Sequence, residues 1–153
     1  MDKNTSNSLF REKICELGFL TELYKFCWQK NVMQLDTLKP DIDHSGYDLV
    51  VVINNKVNFV QLKSISSSAS TREVKFHGSI LSKESAYLIL IEFNNEDESL
   101  EYYSIPINQT IMTEYSAKQQ KDSDVNFTIS VSKIKRAGGN KKTIEDIFKM
   151  LAS

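Results

Sequence analysis

Three polar residues stand at the ends of two apolar runs. In "GYDLVVVINNKVNFVQLKS", Gly46 to Ser64, Asp48 leads into "LVVVI", while Gln61 and Lys63 close "VNFVQLKS". Carboxylate and carboxamide oxygens are hard ligands that suit Mg²⁺. An ammonium beside them can stabilise a developing phosphorane or orient an attacking water. The competing reading is a structural polar cluster, in which Asp48 caps a turn, Gln61 hydrogen-bonds backbone and Lys63 extends to solvent.

Register decides whether the three meet. Both runs are β-branched and apolar, and Asn54-Asn55 between them predicts a tight hairpin. With a two-residue loop, Ile53 faces Lys56, Val52 faces Val57, Val50 faces Phe59 and Asp48 faces Gln61. Opposed residues share one side of a sheet, with Cβ atoms roughly 4.5–5.5 Å apart. Lys63, two positions beyond Gln61, points to that side too. A three-residue loop would shift the register by one and take Gln61 out of line.

The elements that must hold this hairpin can be read along the chain. From Leu9 to about Lys30, Phe10, Ile14, Leu17, Tyr24 and Trp28 recur at helical spacing, and Gly18 is a point for the helix to kink or split. "VMQLDTL", Val32 to Leu38, predicts a first strand, and the hairpin supplies the second and third. "SISSSAS" reads as a loop and "REVKF" as a short strand. "AYLILIEF", Ala86 to Phe93, predicts a strand buried on both faces, with "LEYYSIPI" as its partner. A short helix is expected between Ile107 and Asp122, and the alternation of "NFTISVSKI" predicts another strand. "TIEDIFKMLAS" predicts a closing helix, N-capped by Thr143, with Ile144, Ile147, Phe148 and Leu151 on one face. The order predicts an α+β fold: a central mixed β-sheet flanked by helices, in a single domain over residues 1–153.

Composition narrows the function. The net charge is −1 and 25% of residues are charged, which argues against a protein that coats nucleic acid non-specifically. The stretch "KIKRAGGNKK" nevertheless carries Lys133, Lys135, Arg136, Lys141 and Lys142, five of nineteen basic residues, and is the candidate phosphate-contacting patch. Its competing reading is a solvated turn before the last helix. Cys15 and Cys27 read as buried free thiols in a reducing cytoplasm. No apolar run reaches the roughly 20 residues of a membrane span. His44 and His77 lack the companions of a zinc site, and no phosphate-binding glycine loop or nucleophile elbow occurs.

"KPDIDHSGYDLVVVINNKVNFVQLKS" resembles the core motif of the PD-(D/E)xK, or restriction-endonuclease-like, nucleases. Asp48 matches the family's strand-leading Asp, and "QLK", Gln61 to Lys63, matches acid-x-Lys with Gln in place of the acid. This glutamine variant is similar to small homing and restriction endonucleases. The resemblance covers Gly18 to Ser64, under a third of the chain. It implies a restriction-endonuclease-like core and Mg²⁺-dependent hydrolysis of phosphodiester bonds in double-stranded DNA, with Mn²⁺ able to substitute. It implies that Asp48, Gln61 and the Leu62 carbonyl hold the ion and that Lys63 sits beside the water and the phosphate. A helix acid assists: Glu22 of "GFLTE" is the first choice, with Glu16 and Glu12 as alternatives. One such domain cuts one strand, so a homodimer or higher symmetric homo-oligomer is expected, with the C-terminal helix and "EYY" as candidate interfaces. Homing, restriction and junction or repair roles stay open, as does an inactive member that binds nucleic acid or a protein.

Overall fold

The computed structural model describes residues 3–41, 46–137 and 139–153; His44 lies outside them. A long helix, α1 (Lys3–Gln29), opens the chain. Strands β1 (Leu35–Leu38), β2 (Leu49–Ile53), β3 (Lys56–Ser66), β4 (Glu73–His77), β5 (Ala86–Phe93) and β6 (Leu100–Pro106) follow. A short helix α2 (Ile111–Glu114), strands β7 (Lys118–Gln119) and β8 (Asn126–Ser130), and helices α3 (Val131–Ala137) and α4 (Ile144–Ala152) complete it. The main sheet has five strands in the order β1-β2-β3-β5-β6, and a second sheet has three in the order β4-β8-β7. The main sheet is mixed, because β3 and β5 run parallel while its other pairs are antiparallel. Among the described residues no helix is long and apolar enough to cross a membrane.

The hairpin register follows from its turn. Asn54 and Asn55 adopt φ of 50° and 67°, the left-handed pair that a two-residue type I′ loop needs and that asparagine tolerates best after glycine. Ile53 therefore faces Lys56, Val52 faces Val57 and Val50 faces Phe59.

Two cores sandwich the main sheet. Leu49, Val51, Ile53, Val60, Ile89 and Ile91 pack against Cys15, Phe19 and Leu23 of α1 and Ile147 and Leu151 of α4. On the other side Ile65, Leu88, Leu90 and Ile105 pack against Phe76, Ile80, Ile129 and Ile134 of the small sheet and its connections. The alternation Leu88/Ile89/Leu90/Ile91 sends neighbouring residues to opposite cores, as expected for a strand buried on both faces.

Several expectations are corrected here. The stripe that announces α1 is not the stripe that buries it: Phe10 and Trp28 are each 73% exposed, and Ile14, Leu17 and Tyr24 are exposed as well. Cys15, Phe19, Leu23 and Phe26 form the buried face. Gly18 neither kinks nor splits the helix; a Cβ there would lie 2.6 Å from Leu100 Cδ1, so the glycine lets β6 approach. The alternating run at "NFTISVSKI" is strand only to Ser130, where α3 begins. Lys133, Lys135 and Arg136 are thus helical rather than part of a turn. The closing helix is as expected, with Thr143 and Asp146 forming a capping box. Its Ile147 and Leu151 are buried within the chain, and so is Tyr102 of "EYY".

Candidate active site

Asp48 stands one residue before β2, where the β2–β3 ladder ends. Its backbone N–H donates to the Val60 carbonyl at 2.9 Å. Its Oδ2 accepts from the Leu62 N–H at 2.7 Å and from Gln61 Nε2 at 2.7 Å. One residue thereby grips three successive positions of β3, and its carboxylate takes the place that a longer β2 would fill. Gln61 Nε2 also lies 3.4 Å from the Leu62 carbonyl oxygen. Carboxylate, carboxamide and main-chain oxygen are therefore within one small volume, and Gln61 is buried.

The strand pattern sets the direction of these groups. Leu49 and Val60 face α1, whereas Phe59 and Ile65 face the opposite core. Alternation sends Asp48, Gln61 and Lys63 to that opposite side. Because β2 stops at Leu49, the sheet end is open and α1 reaches the same place from its own side. Glu12 and Glu16 of α1, Asp48, Gln61, Leu62, Lys63 and Ser64 line one cavity.

Electrostatics at the helix side are partly compensated. Glu16 pairs with Lys39, and Lys13 lies 3.8 Å away. The hydrogen bond to Glu16 raises the Lys39 pKa, burial opposes this in part, and Asp48 adds a smaller push in the same upward direction. Cys15, beneath the two glutamates, has its thiol pushed up to about 11 chiefly by burial.

The other expected residues lie elsewhere. Glu22 is not brought to the cavity: it accepts a 2.7 Å hydrogen bond from the Tyr102 hydroxyl on β6, whose pKa is raised by burial and then by this contact. Six residues of helix separate Glu22 from Glu16, roughly 9 Å at 1.5 Å per residue. The helix acids at the cavity are the alternatives, Glu12 and Glu16, because they flank buried Cys15 where α1 crosses the open sheet end. In the basic segment, Lys135 pairs with Glu92 and lies 5.1 Å from the Tyr103 ring centre. Lys141 pairs with Glu101 at 3.1 Å, and the Lys142 N–H donates to the Tyr102 carbonyl at 2.7 Å. These contacts fasten the segment to the ends of β5, through Glu92, and of the edge strand β6, through Glu101, Tyr102 and Tyr103. Lys133 and Arg136 are exposed, without a carboxylate partner among the described residues.

Sequence reasoning missed Lys39, Ser64 and a second cleft beside the first. Lys75 and His77 of β4 and Asn126 of β8 line that cleft together with Asp48, Gln61 and Lys63. The available signal was the alternation of "EVKFH", with Glu73, Lys75 and His77 polar and Val74 and Phe76 apolar.

The donors present fit a hard divalent cation. They are oxygens of carboxylate, carboxamide and main-chain carbonyl, the set that Mg²⁺ takes. Ser64 Oγ is a buried polar atom on the cavity wall without a hydrogen-bond partner among the described residues, which fits a site completed by a polar guest. Among the described residues no three His, Cys, Asp or Glu side chains cluster as a metal site by themselves, so the amide and carbonyl oxygens would be part of any ligand set.

No protein-family model and no curated protein matches the chain. Solved structures do. The chain is similar to D212, a nuclease from a fusselovirus, at a TM-score of 0.50 and 15% identity over 94% of this chain and 90% of that one. A bacterial homing endonuclease, I-Ssp6803I, aligns at 0.48 and 16% over 92% and 91%. Hjc, a Holliday junction resolvase from the archaeal hyperthermophile Archaeoglobus fulgidus, aligns at 0.43 and 8% over 82% and 98%. The fold is α+β with a restriction-endonuclease-like core: a central mixed sheet flanked by helices.

Proposed function

We propose that the chain is a metal-dependent endodeoxyribonuclease that hydrolyses phosphodiester bonds of double-stranded DNA, with sequence specificity of the homing or restriction type. The observation that carries this reading is the convergence of Asp48, Gln61 and Lys63 with the helix acids Glu12 and Glu16 around one cavity at an open strand end. The fold is shared with a protein described as a nuclease, which agrees with it.

Asp48, Gln61 and the Leu62 carbonyl would hold Mg²⁺, with Mn²⁺ able to substitute, and Glu16 with Glu12 takes the helix-acid role first given to Glu22. When bound, the ion supplies Lewis-acid polarisation of the scissile phosphate and lowers the pKa of a water. To offer Oε1 to the ion, Gln61 would have to give up the Nε2 bond to Asp48. Glu16, now paired with Lys39, would have to give up that contact to reach the ion. Lys63 stands beside the phosphate and offsets the charge that develops in the transition state. Lys133, Arg136 and Lys142 contribute backbone contacts outside the site, and Lys135 and Lys141 contribute less because glutamates already occupy them. One site per chain and two strands per duplex call for a homodimer or higher symmetric homo-oligomer.

One observation favours a second reading. Asp48 accepts hydrogen bonds from Leu62 and Gln61, as it would in a structural cluster of an inactive nucleic-acid-binding member. Incubating a DNA library with the protein in Mg²⁺ or Mn²⁺, beside Asp48→Asn, separates the two. Metal-dependent cuts that the variant does not make support the enzyme. DNA binding without cuts in either metal supports the inactive reading and overturns the enzyme.

A further inference from the structure

The polar face of the small sheet has the layout of a second groove wall. Along β4, Val74 and Phe76 are buried while Lys75 is exposed and His77 half-buried. Lys75 faces Thr128, His77 faces Asn126, and Lys118 of β7 faces Thr128 from the other edge. Opposed residues share a side, so these five form one polar surface, and its β4 end meets Asp48, Gln61 and Lys63 across the second cleft. The approach is close by construction. Gly46, at φ +74°, is packed so that a Cβ would lie 2.7 Å from Ser79 Oγ and 3.0 Å from the His77 carbonyl oxygen. A side chain at Gly46 would press on the end of β4 and the turn that follows it.

Chemistry on this wall suits phosphate. Among the described residues neither Lys75 nor Lys118 has a carboxylate partner. The Ser79 N–H donates to His77 Nδ1 at 3.1 Å, and the Ser79 hydroxyl lies 2.7 Å from the same nitrogen. A neutral ring whose Nδ1 accepts carries its proton on Nε2, which makes Nε2–H a donor. The groove is thus acidic where α1 lines it, with Glu12 and Glu16, and carries Lys75 where β4 lines it; Lys118 of β7 lies further along the same sheet face, and Glu73 shares that face at the far end of β4. A cation belongs at the first end and a chain of phosphates along the second. Lys75 and Lys118 stand two strands apart, roughly 10 Å, far enough to meet separate phosphates of one strand.

We propose that this face binds the polynucleotide backbone: Lys75 and Lys118 take phosphates beside the scissile one, and His77 Nε2–H with the Asn126 amide holds the phosphate nearest the cut. This rests on the nuclease reading and adds the path of the substrate to it. Binding of a duplex in Ca²⁺ is followed by fluorescence anisotropy across a salt series, for the wild type and for Lys75→Ala with Lys118→Ala. The expected result is weaker binding and a slope of log K against log salt smaller by about two units, with the metal-induced rise in melting temperature unchanged. A wild type that binds with an unchanged slope in the variant overturns the wall and leaves the nuclease reading standing. A wild type that neither binds DNA nor cuts it with metal overturns both.

His77 needs a second comparison, because it also caps the Ser79 N–H. In His77→Asn the side-chain oxygen can replace Nδ1 and keep the cap, but no donor reaches the Nε2 position. In His77→Gln a donor reaches that position and the cap is lost. If His77 holds a phosphate, His77→Asn melts like wild type yet cuts saturating duplex about 10-fold more slowly, as a lost hydrogen bond to a charged group predicts, and His77→Gln cuts faster than His77→Asn. The opposite order of rates, with loss following the melting temperature, assigns His77 to the cap alone and removes it from the wall.

Discussion

At the end of β2, Asp48 Oδ2 takes two hydrogen bonds of 2.7 Å from residues 13 and 14 positions along the chain. On the last two strands of the same sheet, Lys135 and Lys141 reach Glu92 of β5 and Glu101 of β6, 43 and 40 positions away. The first region holds one acid, one amide and one amine, inconspicuous among valines. The second holds five cations within ten residues. Yet the fold gathers the sparse set around a cavity and spends part of the dense set on pairing with its own glutamates. Local density of charge says what a segment can attract; the fold decides whether that attraction is already satisfied within the chain.

The comparison breaks most sharply at Asp48. Asp48→Asn is expected to abolish cleavage, because it removes the carboxylate at the hairpin end, while the amide oxygen can still accept from Leu62 and keep the fold. Cleavage by the purified variant at the wild-type rate would move the active site elsewhere. Lys63→Ala is expected to slow single-turnover cleavage by ~100-fold or more, in line with loss of one electrostatic stabiliser; full activity would assign Lys63 to packing. In the other region, Lys135→Ala with Lys141→Ala should lower the salt slope of DNA binding by less than one unit per lysine, since both are already paired. Two full units would show that DNA displaces the glutamates and that the two regions differ less than their geometry implies.

Gln61→Glu tests the hairpin end with little change of volume. A second carboxylate beside Asp48 should strengthen cation binding. Without metal the two repel, and Gln61 Nε2 no longer donates to Asp48. The apo protein should melt lower, by about 2–4 °C for each kcal/mol lost at this chain length, and regain the difference in Mg²⁺ or Mn²⁺. Melting curves over a metal titration read both halves at once. A variant no more responsive to metal than the wild type would remove Gln61 from the ligand set.

The hairpin was legible because its determinants are local. Two asparagines fix the turn, the period of two fixes the faces, and together they place Asp48 against Gln61. Which of Glu12, Glu16 and Glu22 lines the cavity was not legible, because it depends on how α1 is rotated over the sheet. The conspicuous stripe through Phe10, Ile14 and Trp28 faces solvent, and the buried one runs through Cys15, Phe19 and Leu23 with Glu12 and Glu16 beside it. The small sheet was hidden for a different reason. β4 and β8 pair across about fifty residues of chain, a separation at which pattern carries no partner information. The end of β8 was ambiguous too, since Val131 continues the alternation of Phe127 and Ile129, and only Ile134, three positions further on, shows the helical spacing.

The smallest expected effect sharpens the picture beneath the glutamates. Cys15 lines the candidate cavity but is 1% exposed, and its thiol titrates at about 11 instead of 9.0, mostly because burial disfavours the thiolate, with Glu12 adding to it and Arg11 opposing. The unfolded chain therefore gives up this proton near pH 9 while the folded chain keeps it to about 11. Between those values the unfolded state binds fewer protons, so stability falls as pH rises. The contribution is complete below pH 9 and gone above 11. Cys27 is shifted the same way by burial, so replacing one thiol removes only part of the slope. Urea melts of Cys15→Ala and wild type, compared at pH 8 and pH 10.5, should show a smaller alkaline loss in the variant. Equal losses would mean that the thiol ionises in the folded state as it does in the unfolded one. The floor of the cavity would then be wet, and Glu12 and Glu16 would lie in a more solvated setting than the cavity's burial implies, weakening their claim on a cation.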